Sequence, residues 1–271
     1  MATLKNTTIN DTGFFTVPTG TTAQRPASPV EGMIRYNTTN KNYEGYQDGA
    51  WVNITVSTAS IVSTNRVLYY DFGNIVCYPG SGTTIYDLSG NGNNGTMGSG
   101  TSYSANNSGI VTLSGSGSGI TTSYKIPGSA RSHSYWVYFT TLSHASGYQL
   151  SGTQESGAYT YIGIQNGGAM YYYMGSSTGG SIATSLVSNT WYNLCQTMSS
   201  SGAVTLYVNG TSVYTTSASV GNTATANFYV GNINGNHNIT GNMGMILLYT
   251  AELTAAQVLQ NYNAVKSRYG Y

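Results

Sequence analysis

The side chains able to do chemistry are few and badly placed for it. Three histidines, His133, His144 and His237, stand in no H-E-x-x-H or related metal spacing. There is no G-x-S-x-G elbow, although spacing does not test for a Ser-His-Asp set, whose members meet only in space. Glycoside cleavage needs two acids across a cleft. Beyond residue 64 the chain carries only Asp71, Asp87, Glu155 and Glu252. Glu252 reads as a charge ahead of a helix, which leaves Asp71 and Asp87 as the conceivable pair. Gly90-Asn91-Gly92-Asn93-Asn94-Gly95 spells G-x-G-x-x-G, but a dinucleotide fingerprint must open a helix, and Thr96-Met97-Gly98-Ser99-Gly100 is no helix former. The same stretch holds half a calcium loop: Asp87, Ser89 and Asn91 offer oxygens with Gly92 in sixth place, yet Gly98 stands where a bidentate Glu belongs. An Asx-rich turn accounts for it better. The expectation is a protein that is not an enzyme, with no catalytic residue, no cofactor and no bound metal.

Chemistry of contact is better represented. In Met170-Tyr171-Tyr172-Tyr173-Met174, strand alternation puts Tyr171 and Tyr173 on one face and Tyr172 on the other. One face must be core. The other suits stacking on sugar rings, since tyrosine joins an apolar body to a polar tip, or cross-strand aromatic pairing. Asn232, Asn234, Asn236 and His237 form a polar turn fit to hydrogen-bond a glycan, or merely a solvated loop. The candidate ligand-binding residues are therefore Tyr171, Tyr173, Asn234, Asn236 and His237. Cys77 and Cys195 read as two buried thiols, with a disulfide left open until their strands are placed. Asn-x-Thr triplets such as Asn209-Gly210-Thr211 arise from composition and geometry, and no glycosylation is assigned.

Composition limits the partners. Only 6% of the 271 residues are charged, against about 25% in ordinary domains. Nine Lys and Arg cannot build the positive field that nucleic acid or an anionic membrane requires. No run of 18 apolar residues exists, so no membrane insertion is expected. The first residues lack the apolar stretch of a secretory signal, which suggests assembly in a cytoplasm and release by lysis. Gly (35) and Tyr (25) lead a surface of hydroxyls and amides, and 12% aromatic residues supply a core.

The elements that must position these residues are nearly all strands. In residues 1–54 the pattern predicts strands at 33–36, 42–46 and 50–54, the last two joined by an Asp48-Gly49 turn. So small a meander buries little. Its Tyr36, Tyr43, Tyr46 and Trp51 need cover from other copies or a partner, so an attachment and oligomerisation module is expected. Residues 55–64 read as a Ser/Thr-rich linker. From 65 to 271 the pattern is β: 67–72, 109–114, 133–140, 158–164, 169–174, 190–198, 203–208, 211–216, 226–231 and 243–249, spaced as in a sandwich. Asn209-Gly210 between alternating runs is the sharpest hairpin signal. Thr254 and Gln257 form a capping box. Ala255, Val258, Leu259, Tyr262 and Val265 give one helix an apolar stripe, with Lys266 and Arg268 in its last turn and Gly270 beyond.

Four landmarks make residues 67–265 resemble laminin-G-like, concanavalin A-like jelly rolls. They are Asp71 with Asp87–Gly95, Ser134–Phe139, Trp191–Leu194 followed by Leu206–Gly210, and Gly241–Tyr249 followed by Leu253–Val258. The resemblance implies an all-β sandwich with one C-terminal helix. A second string resembles a short module of tail-fibre and virion-associated proteins of tailed phages. It runs from Pro18 to Pro26, through Gly32–Asn37, to Tyr43–Tyr46 and Trp51. That implies a virion protein of fibre or decoration type, a homotrimer by habit, with other virion proteins and a host-surface glycan as partners. A cement role without ligand and a glycan-degrading enzyme are the other classes.

Overall fold

A computed structural model describes residues 16–54, 60–115, 117–143, 147–153, 159–175, 181–182, 184–218, 220–232 and 238–271. The chain divides into two compact units, Met1–Thr58 and Ala59–Tyr271.

The first unit is one sheet, ordered Thr19–Gly20, Ile34–Asn37, Asn42–Gln47, Ala50–Asn53. The last three strands form the expected meander. Its second turn uses left-handed Asp48 (φ 51°) and Gly49 (φ 77°), which match the strand twist. The two-residue parallel strand was not foreseen. Gly20 lies so close on Arg35 that a Cβ would meet Nη2 at 2.6 Å.

Register separates the four aromatic residues expected to act together. Tyr36 faces Tyr43, and Tyr46 faces Trp51, but strand alternation puts the two pairs on opposite faces. Tyr46 and Trp51 share their face with Arg35, Asn37 and Glu44. Tyr36 and Tyr43 share theirs with Ile34, Gly45 and Val52. Among the described residues of this unit, the buried ones are Arg35, Asn37 and Glu44. Its interior is an ion pair with amide support: Arg25 donates to Glu44 through Nε (3.1 Å) and Nη2 (2.6 Å), and Asn37 Nδ2 donates at 2.9 Å. Arg35 Nε lies 3.6 Å away. Both guanidinium groups lie over the Trp51 ring, at 5.7 and 6.0 Å.

The second unit is a sandwich of two sheets. One runs Ser181–Ile182, Met170–Gly175, Tyr159–Ile164, Tyr148–Thr153, Tyr229–Val230, Ile120–Thr122, Gly95–Met97, Thr84–Ile85. The other runs Thr211–Ser217, Ala203–Val208, Trp191–Met198, Arg131–Phe139, Thr240–Tyr249, Ile110–Ser114, Thr101–Ser104, with Arg66–Asp71 also paired to Thr240–Tyr249. All-β sandwich and single α-helix are as expected. Between the sheets lie Tyr135, Val137, Phe139, Tyr148, Leu150, Ile162, Phe228 and their neighbours, nearly all sealed from water. At about 1.5–3 kcal/mol per large apolar side chain, this core is the main stabilising term. Asn209 (φ 52°) and Gly210 (φ 78°) close the expected hairpin.

The helix Ala255–Val265 begins with the expected capping box: Thr254 Oγ1 accepts from Gln257 N, and Gln257 Oε1 accepts from Thr254 N. Its inward stripe is turned by one position from expectation. Val258 and Asn261 are buried and Tyr262 and Val265 half-buried, while Ala255 is exposed and Leu259 44% exposed. The helix and the turn after it cover the outer face of the second sheet, where Trp136 stacks on Tyr269 (centroids 4.2 Å apart). Residues 60–64 are packed here and are not a free linker. Val62 is buried, its N–H donates to Asn261 Oδ1 (2.8 Å), and its carbonyl accepts from Tyr249 OH (3.0 Å). Ser and Thr suggested a tether, and the Ile61-Val62 pair overrode them. Residues 55–59 lie outside the described residues.

Candidate functional site

The helix covers one sheet; the outer face of the other presents the candidate surface. Seven of its eight strands bring one residue each into a single row across the sheet. Tyr173 pairs with Tyr161, Tyr161 with Gly152, Gly152 with Tyr229, Tyr229 with Thr121, Thr121 with Thr96, and Thr96 with Thr84. The strand neighbours Val230, Ile120, Met97 and Ile85 are buried in the core, so Tyr229, Thr121, Thr96 and Thr84 face outward, while the side chains of Tyr161 and Tyr173 lie outside the described set. Gly152 is buried, Tyr229 is half-buried, and Thr121, Thr96 and Thr84 are exposed, so the open part of the row runs from Tyr229 to Thr84. At about 4.8 Å per strand the row spans roughly 29 Å. It holds no charged residue, and its described side chains can stack and hydrogen-bond.

A second, shorter row pairs Tyr171 with Gly163 and Gly163 with Gln149. Tyr171 crosses Gly163 so closely that a Cβ there would meet its ring at 2.2 Å, and its hydroxyl donates to the Tyr148 carbonyl at 3.4 Å. Burial raises the Tyr171 pKa, and a hydrogen bond with Gln149 opposes the rise. Tyr172 points into the core against Tyr214. The structure therefore puts Tyr171 on the outer face and its neighbour inside. Tyr173 takes its place in the long row by register, and its side chain is outside the described set. Asn234, Asn236 and His237 are also outside it, as are His144 and Glu155. Asn232, the first residue of that polar turn, is buried, with its Nδ2 donating to the Ser118 carbonyl. Thr121, Thr96 and Thr84 went unnoticed in the sequence because two- and three-residue strands carry too little alternation to be read; Tyr229 lies in the expected strand 226–231, but its cross-strand partners have no local signature.

Asp71 and Asp87 are committed to structure. Asp87 Oδ1 accepts from the N–H groups of Tyr69 and Ser89 (both 2.9 Å), and Oδ2 accepts from Ser89 Oγ (2.7 Å) and Asn93 N (3.0 Å). Asn91 Nδ2 donates to the Arg66 carbonyl at 3.1 Å. The half calcium loop is thus an Asx turn pinned to the first sandwich strand, with its carboxylate lone pairs engaged. Among the described residues no cluster of three or more potential ligands forms. Asp71 pairs with Arg268 at 2.5 Å, and that arginine also donates to the carbonyls of Asn107 (2.8 Å) and Gly109 (2.9 Å). Glu252 is exposed ahead of the helix. Asp71 and Asp87 are therefore separate struts, each held by its own hydrogen bonds. His133 faces the interior beside Phe228 (5.5 Å), and burial, then Arg131, push its pKa down to about 3. Both cysteines are free and buried, one in each hydrophobic cluster, and burial raises each thiol to about 12. No described helix is long and apolar enough to cross a membrane.

The family model of the concanavalin A-like lectin/glucanases superfamily matches residues 113–259. No curated protein sequence matches the chain. Among solved structures, the binding domain of Paraclostridial Mosquitocidal Protein 1 is similar at a TM-score of 0.60 and 19% identity, over 74% of this chain and 52% of that one. Domain 4 of AbnA, a GH43 extracellular arabinanase from Geobacillus stearothermophilus, in complex with arabinotriose, gives 0.58 at 21% identity, over 73% and 98%. The ligand-binding domain of botulinum neurotoxin serotype D, in complex with N-acetylneuraminic acid, gives 0.59 at 16%, over 76% and 52%. The matched part spans about half of the two toxin chains. At these identities the likeness is one of fold. With more than half its length matched by the family model, the chain belongs to the concanavalin A-like lectin/glucanases superfamily.

Proposed function

We propose that this is a structural virion protein of a tailed phage, of fibre or decoration type, whose sandwich is displayed outward to bind a host-surface glycan. Residues 1–54 are its attachment and oligomerisation module, and a homotrimer is the simplest assembly. The observation that carries glycan binding is the uncharged row Tyr229, Thr121, Thr96 and Thr84 on the sheet face the helix leaves open. Aromatic faces with hydroxyls beside them suit sugar rings, and strand-spaced repetition suits a linear chain of them. Two similar folds in complex with arabinotriose and N-acetylneuraminic acid support a saccharide ligand. The resemblance of residues 18–54 to phage modules supports the virion setting. Shallow sites become effective when several copies engage together.

A glycan array with the full-length protein tests the ligand. Binding is expected, and Tyr229→Ser should weaken it at least tenfold without lowering the melting temperature. Retained affinity in Tyr229→Ser would remove the row from the site, and release of reducing sugar would overturn a function by contact alone. A second reading, capsid or tail cement, draws on Ile75 and Val76, which stand exposed side by side on a turn fixed by Asn74. Sandwiches buried between subunits in a particle map would favour it.

A further inference from the structure

We infer that the face of the N-terminal sheet bearing Ile34, Tyr36, Tyr43, Val52 and Ile54 is the surface on which copies of this chain join. The inference rests on the reading of residues 1–54 as an assembly module and names the contact that reading requires. Ile34 is 51% exposed, Tyr43 53% and Ile54 43%, and Val52 is exposed beside them. Register puts Ile34 beside Gly45 and Gly45 beside Val52, and the Ile54 side chain lies over Gly45. An apolar face is thus continuous across three strands. Arg25, Arg35 and Glu44 are spent on one another on the opposite side, and Glu31, Lys41 and Asp48 lie in turns outside the strands.

Three considerations select another copy as the occupant. First, a partner must be apolar and uncharged to match. Of the twelve large apolar residues exposed in the described chain, four lie on this face or at its edge; those of the sandwich are dispersed over loops, strands and the helix end. The chain's own best complement to this face is the face itself. Second, the unit has no buried apolar side chain among its described residues, so closing this face supplies the burial that a small sheet lacks. Third, the face measures roughly 14 by 10 Å from strand spacing and rise. That is well short of the ~800 Å² per partner of a stable pairwise interface. A face-to-face pair buries this face and nothing more, whereas three copies closed about an axis add rim-to-rim contacts between neighbouring modules to the shared apolar core.

Light scattering and sedimentation of the full-length protein test this. The expected mass is that of three chains, falling threefold to a single chain in Ile34→Asp/Val52→Asp. Val213→Asp, an exposed apolar position in the sandwich, should leave the mass unchanged. Because the double variant can also unfold the module, Val52→Cys treated with a bismaleimide gives a second readout: cross-linked chains are expected, since Cys77 and Cys195 are buried and cannot compete. A wild-type protein that stays a single chain throughout would overturn both this inference and the assembly reading. An oligomer unchanged by the double variant and not cross-linked through Val52→Cys would overturn the face and leave the assembly reading standing. A mass of two chains would overturn the ring.

Discussion

Replacing Asn261 by Ala should destabilise the sandwich by about 3 kcal/mol, a figure that follows from its contacts. Asn261 is 3% exposed on the inner side of the C-terminal helix. Its Oδ1 accepts the Val62 N–H at 2.8 Å, and its Nδ2 donates to Tyr249 OH at 3.0 Å. Tyr249 in turn donates to the Val62 carbonyl at 3.0 Å. Truncation leaves a buried N–H without acceptor, at a cost of about 1–3 kcal/mol, and removes a second hydrogen bond worth about 1 kcal/mol. For a domain of this size each kcal/mol lowers the melting temperature by about 2–4 °C, so a fall of roughly 6–12 °C is expected by circular dichroism. Asn261→Asp keeps the acceptor for Val62 but loses the donor to Tyr249. Its deficit should grow with pH as a poorly solvated carboxylate is forced to ionise. A loss under about 0.5 kcal/mol in Asn261→Ala would mean that water reaches Val62. The packing of residues 60–64 under the helix would then be wrong.

Two further outcomes follow from buried charge. His133 has its pKa depressed to about 3 by burial, so between about pH 6.5 and 3 the unfolded chain binds a proton that the folded one refuses. Stability from this source is complete above the unfolded pKa and is lost as pH falls; urea titrations of His133→Phe should show a flatter acid limb. Glu44 has its pKa lowered, chiefly by the Arg25 hydrogen bond, so its contribution is present above about pH 4.3 and is lost on acidification. Glu44→Gln should cost the first unit about 2 kcal/mol. That lies between the ~0–1 of an exposed pair and the ~3–5 of a deeply buried one, because Arg25 stays partly in water. Hydrogen exchange at residues 34–53 reads it.

What could be read in advance was set by local stereochemistry. Asp48-Gly49 and Asn209-Gly210 announce their turns because few other residues take two consecutive left-handed conformations. Thr254 and Gln257 announce the helix because the capping box is a short-range reciprocal bond. Tyr148–Thr153 escaped notice although it is central, since both its faces are buried and Gln149, Ser151 and Gly152 break any apolar alternation. Asn261 was passed over because a polar residue in a helical stripe looks like surface until its partners from residues 62 and 249 arrive. The pairing of Asp71 with Arg268, 197 residues apart, has no local signature. Tyr36, Tyr43, Tyr46 and Trp51 were read as one group because composition names residues, while register alone says which face each takes. Of the candidate ligand residues, Tyr171 was correctly set opposite Tyr172. Tyr229 lies in the expected strand 226–231, but its partners Thr121 and Gly152 are set by long-range register.

Hydrogen exchange on the full-length protein, with and without the best saccharide from the array, tests recognition by the open sheet most directly. Protection should appear in Gly95–Met97, Ile120–Thr122 and Tyr229–Val230, at the same affinity in low and high salt, because no charge lines the row. Protection confined to the helix-covered sheet, or affinity that collapses with salt, would contradict the account.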